Sequence, residues 1–148
     1  MQTTLNKIWK CSPESDDWAK ILKSVNKTQA DDEPIEFSHI VETQWLSDAI
    51  WYLRTVDGIE PSIVSFISFC QRQCTERGLE CEEFDLTDNS PSNLSDIAYE
   101  AQYDAIFVNE ISIDEKMFHN SATYDRARNK TGDKISAEQK QKFIELFC

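Results

Sequence analysis

The stretch Trp45-Leu46-Ser47-Asp48-Ala49-Ile50-Trp51-Tyr52-Leu53-Arg54 decides the fold class, together with Asp57-Gly58 and Ile63, Phe66, Ile67, Cys70 and Cys74 beyond it. Leu46, Ile50 and Leu53 make one apolar stripe at helical spacing, and Trp45, Ala49, Tyr52 and Val56 make another. A helix apolar over so much of its circumference is buried on more than one side. Ser47 is placed to cap it and Asp57-Gly58 to end it, because glycine enters the left-handed region without steric cost. Pro61 suits the first turn of a second helix, which runs to Arg77 with Gly78 behind it. The Gly-Ile-Glu-Pro connection is short, so the two helices are expected to fold against each other. This hairpin over 45–78 is the expected core.

Upstream, Leu5, Ile8 and Trp9 suit a short docked strand or turn. Ser12 and Pro13 suit the N-cap and first position of a helix carrying Trp18, Ile21, Leu22 and Val25 on one face. Residues 26–36 read as a loop holding the acidic knot Asp31-Asp32-Glu33-Pro34. Phe37, Ile40 and Val41 fit one face of a brief helix, with His39 partly exposed beside them.

Downstream, residues 79–94 form an acidic linker. Glu80, Glu82, Glu83, Asp85 and Asp88 surround Leu79, Phe84 and Leu86, and Cys81 to Leu86 suit an edge strand. C-terminal helices fill 95–148. Ser95 caps the first, which carries Ile97, Ala98, Ala101 and Ala105. Ser112 with Glu115 makes a capping box for a helix over 113–129, and Ser136 with Gln139 makes another for the last. The expected fold is all-α or mostly α: one acidic domain over 1–148, a bundle of about six helices around the central hairpin. By their spacing the four Trp belong to the core.

Composition agrees with a packed helical chain. At 148 residues, with 40% apolar residues and only three Gly and four Pro, a core is affordable and a turn-rich sandwich is disfavoured. No run is long and apolar enough for a signal peptide or a membrane span. Five cysteines, an odd number, suit reduced thiols in the cytoplasm. The net charge is −12, and residues 31–120 hold twenty acids against four Lys and Arg. Such a middle repels nucleic acid and membrane surfaces and attracts basic partners.

The run Ile35-Glu36-Phe37-Ser38-His39-Ile40-Val41-Glu42, leading into Asp48-Ala49-Ile50-Trp51-Tyr52-Leu53-Arg54 and Asp57-Gly58, resembles a loose family of phage and bacterial helical proteins. Its members carry a DALWxLR-like motif, and some are described as immunity proteins. The resemblance covers residues 35–78. It implies a helical fold and a phage or mobile-element setting, and it supplies no catalytic residues.

Catalytic and metal motifs are missing from the sequence. Gly58, Gly78 and Gly132 stand apart, which excludes a phosphate-cradling loop. Cys70 and Cys74 are one helical turn apart and suit buried thiols rather than zinc ligands, and His39 and His119 are remote in sequence. No cofactor and no enzymatic activity are expected. The expected function is an acidic interaction protein that inhibits a basic nuclease or other nucleic-acid-binding defence effector. Its anticipated partner-binding residues are Asp31, Asp32, Glu33, Glu36, Glu80, Glu82, Glu83, Phe84, Asp85 and Asp88. No direct nucleic acid and no membrane are expected as partners, while a homodimer fits. The other reading is a structural or regulatory helical module whose charge serves solubility.

Overall fold

The computed structural model describes residues 1–76, 83–107 and 133–148. The chain is mostly helical. Strand β1 (Gln2–Thr4) leads into α1 (Leu5–Trp9) and α2 (Ser15–Ser24), and β2 (Pro34–Glu36) precedes α3 (Ser38–Thr43). Helix α4 (Leu46–Tyr52) ends in a 3-10 turn over Leu53–Thr55. Then come α5 (Glu60–Thr75), α6 (Pro91–Phe107) and α7 (Asp133–Phe147).

Helix α5 is the hub. Ile63, Phe66, Ile67, Cys70 and Cys74 are all buried, as their spacing predicts. The expected hairpin is not what packs, however. α5 lies mainly against α6 and α7, and α4 lies against α6 and α3. Helix α4 explains this, being only seven residues and thus about 10 Å long. The extended Val56 and Gly58, at φ +71°, then redirect the chain, so α6 with its 17 residues bridges the two helices.

The end of α4 is set by threonine and arginine. Thr3 Oγ1 donates to Thr55 Oγ1 at 2.7 Å, and Thr55 Oγ1 donates to the Tyr52 carbonyl at 2.7 Å. This buried relay holds the expected last turn of the helix in a 3-10 path. Arg54 Nε donates to the Trp51 carbonyl at 2.9 Å and Nη2 to Asp96 Oδ1 at 2.6 Å. Ser95 Oγ donates to the Ile50 carbonyl at 2.7 Å. These bonds answer carbonyls at the end of α4 and tie it to α6. Ser95 is therefore a buried cross-link and not a cap. α6 begins earlier, at Pro91, where a missing N–H is harmless, and Ser90 Oγ accepts from the Asn93 N–H.

Other starts also differ from expectation. Ser12 turns at φ 55° to reverse the chain after α1, so Glu14 rather than Ser12 precedes α2. Trp45 rather than Ser47 precedes α4 and makes no side-chain cap bond. Within the expected loop over 26–36, Gln2, Thr3 and Thr4 pair antiparallel with Glu36, Ile35 and Pro34. Three residues are too few to show an alternating pattern in the sequence.

Helix α7 begins at Asp133, which leaves Ser136 inside it and Gln139 fully buried. Gln139 Nε2 donates to Gln73 Oε1 at 3.0 Å and to the Gln102 carbonyl at 3.3 Å, joining α7 to α5 and α6. Four rings complete this junction. Phe143 contacts Phe37, Phe66 and Phe147 at centroid distances of 6.2, 5.4 and 4.5 Å. Among the described residues no helix is long and apolar enough to cross a membrane.

Candidate functional site

The acids anticipated as a binding surface are largely answered within the chain. Lys27 Nζ lies 2.8 Å from Asp31 and 2.6 Å from Glu33. The Lys27 contact and the Glu33 N–H hold the Asp31 carboxyl below its ordinary value. Asp32 accepts from Asn6 at 2.8 Å, and Glu36 accepts from Gln2 at 2.9 Å. Asp85 accepts from the hydroxyl and N–H of Thr87, which lower its carboxyl, and Asp88 accepts from the Ser90 N–H. These are local turn and connector bonds. Glu83 is exposed, whereas Phe84 packs half-buried on the core. Glu83 to Leu86 form no strand. Glu80, Cys81, Glu82, His119 and the helix expected over 113–129 lie outside the described residues.

A different group of acids is brought together. The segment Cys11 to Asp17, helix α4 and the first half of α6 enclose a cleft of about 840 Å³. Glu14, Asp17, Asp48, Asp96 and Glu100 line it with five carboxylates, and Trp45, Trp51, Tyr52 and Tyr99 line it with four aromatic rings. Trp45 is 70% exposed and Trp51 41% exposed, so both indoles stand at the surface. This corrects the expectation that the four Trp are core. Trp9 is 55% exposed as well, and it packs at 5.0 Å against the half-buried Trp18.

The cleft carries surplus negative charge. Asp96 is paired with Arg54, and Lys20 approaches Asp17 at 4.0 Å. Among the described residues no cation pairs with Glu14, Asp48 or Glu100. Burial first, then the Asp17 and Glu14 carboxylates, push the Asp48 carboxyl above its ordinary value. Burial and the same carboxylates push the Tyr52 phenol up to about 12. The Cys11 thiol at the rim is raised by burial, an effect that Arg54 partly opposes. It is therefore no nucleophile at neutral pH.

Asp48 accordingly destabilises the folded chain when ionised. A carboxyl whose folded pKa is raised adds stability below its unfolded pKa, and that stability is lost as pH rises through the folded value. Asp48→Asn is expected to raise Tm at pH 7 by roughly 1–3 °C and to leave it unchanged below about pH 3.5. Thermal melts across that range check this, and a lower Tm at pH 7 would contradict the assigned repulsion.

No family model, curated protein or solved structure matches this chain. The cleft's own chemistry therefore carries the functional reading. Aromatic faces attract cations, and unpaired carboxylates in a concave, partly desolvated site attract them more strongly. Among the described residues no three His, Cys, Asp or Glu side chains are grouped as metal ligands would be. The arrangement suits basic side chains presented by another molecule. Sequence reading missed it because its parts come from three separate segments. One signal was present: Trp51 and Asp48 both fall outside the two apolar stripes of their helix.

Proposed function

We propose that this chain is a non-enzymatic acidic interaction protein, encoded by a phage or mobile element. It inhibits a basic nucleic-acid-binding protein or defence effector by occupying that protein's cationic surface. The observation that carries this reading is the cleft, where three carboxylates with no cation partner among the described residues stand beside exposed indoles. A raised, mutually repelling carboxylate is a stability cost in the free chain, and a cationic partner would relieve it. Charge complementarity of this kind steers association and makes it sensitive to salt. The acidic middle of the chain would supply the long-range field, and the cleft the contact.

The test is capture of partners by the tagged chain from host lysate, with nuclease added, at low and at high salt. A basic nucleic-acid-binding protein is expected at low salt and is released at high salt. Its nucleic-acid binding or cleavage should then fall when the purified chain is added. Recovery of the chain alone, in a self-associated form indifferent to salt, would contradict the proposal and favour a structural helical module.

A further inference from the structure

We propose that the Tyr52 hydroxyl is a hydrogen-bonding anchor at the floor of the cleft, accepting from the charged N–H group of a basic side chain that the partner inserts. The inference rests on the function proposed above. Tyr52 lines the cleft, yet it is only 5% exposed. Its carbonyl is answered by the Thr55 hydroxyl at 2.7 Å. Its own hydroxyl has no hydrogen-bond partner among the described residues. A nearly buried hydroxyl of this kind has given up hydration without an internal bond in return. It marks a place where a group from outside completes the bonding.

The surroundings of the phenol decide what that group is. Burial first, then the charges of Asp17, Asp48, Cys11 and Glu14, push the phenol up to about 12, so it keeps its proton at neutral pH. Those four residues line the same cleft, and the phenol oxygen therefore faces into it. A neutral phenol can donate and accept at once, with its proton turned to suit its neighbours. An anion here would be repelled by the carboxylates, and a neutral donor would gain nothing from their charge. A cationic N–H group gains both the attraction and a charge-assisted bond to the phenol oxygen. The cations and donors nearby are already engaged. Arg54 is held by Trp51 and Asp96, and the Cys11 thiol is turned to the Lys7 carbonyl at 3.6 Å. The cleft, at about 840 Å³, has room for a basic side chain together with the backbone that carries it.

Tyr52→Phe removes the hydroxyl and keeps the ring. The probes are a nonapeptide of arginine and one of lysine, titrated at low and at moderate salt and followed by tryptophan fluorescence. The variant is expected to bind at least one of them about tenfold more weakly, a difference of about 1.4 kcal/mol. The more affected peptide names the head group that reaches the phenol. No charge is removed, so the dependence of affinity on salt should match that of the unaltered chain. No internal bond is removed either, so Tm should stay the same or rise. Binding within about twofold of the unaltered chain for both peptides would overturn the assignment and leave the basic-partner reading standing. A Tm lower by more than about 5 °C would overturn it too, because the hydroxyl would then serve the fold. If neither peptide bound the unaltered chain, the assignment would fall, and lysate capture without a basic protein would take the broader reading with it.

Discussion

Replacing Phe143 with alanine is expected to cost about 3–5 kcal/mol of folding stability. Small domains hold only about 5–15 kcal/mol in total, so the variant should be marginal at 37 °C and melt roughly 10 °C lower. The size of the effect follows from position. Phe143 is fully buried on α7 and touches Phe37 ahead of α3, Phe66 on α5 and Phe147 one turn along α7. Its edge-to-face contact with Phe66, at 85°, adds to the area it buries. Removing the ring leaves a cavity where three segments meet, and none can close it without dragging the others. Urea denaturation provides the measurement, with the half-buried Phe69→Ala as the comparison. A loss below about 1 kcal/mol for Phe143→Ala would show that α7 is not part of the cooperative core.

Reversing charge in the cleft is expected to be the most damaging change for binding. Asp48→Lys combined with Glu100→Lys should weaken the arginine nonapeptide by about 100-fold, near 2.7 kcal/mol. Two attractive carboxylates are lost there and two repulsive cations are introduced beside the indoles. The fold should tolerate both changes, since Lys at 48 would face Asp17 and Glu14, whose repulsion Asp48 now suffers. The comparison is Glu83→Lys with Asp85→Lys, in the connector before α6. Those residues are exposed, where a charge is screened by solvent and salt, and a change within about threefold is expected. Titration of both double variants at one salt concentration decides between the places. A larger loss from the connector pair would return the site to the acids that sequence alone suggested.

Helix content and the buried face of α5 were legible because both are periodic. Ile63, Phe66, Ile67, Cys70 and Cys74 obey a spacing that any packing partner would require. The identity of that partner was not legible. A short connection suggested α4, but a seven-residue helix followed by a 3-10 turn gives α6 the larger contact. Serine positions misled for a related reason. Ser12, Ser47, Ser95 and Ser136 all have the chemistry of a cap, yet Ser95 spends its hydroxyl on the Ile50 carbonyl across the core. Local competition of this kind depends on what tertiary contacts offer.

The candidate site was the least legible part. Acidic runs such as Asp31-Asp32-Glu33 are conspicuous in sequence, but Lys27 and Asn6 already answer them in the fold. Glu14, Asp48 and Glu100 attract no notice one at a time and gain meaning only by convergence. The spacing of the tryptophans predicts core positions, whereas Trp9, Trp45 and Trp51 reach the surface. Exposed indoles next to carboxylates with no cation partner among the described residues cost solubility and stability in the free chain, and the proposed binding role would offset both costs.

The central claim is that the cleft between α4, α6 and the 11–17 segment is the binding surface for basic side chains. The indole N–H resonances of the four tryptophans report on it directly, in a ¹⁵N-labelled sample titrated with the arginine nonapeptide. Saturable shifts of the Trp45 and Trp51 indoles, with Trp18 little changed, are the predicted result. Saturable binding that leaves both of those indoles unmoved, and shifts backbone amides of residues 83–88 instead, would contradict the claim.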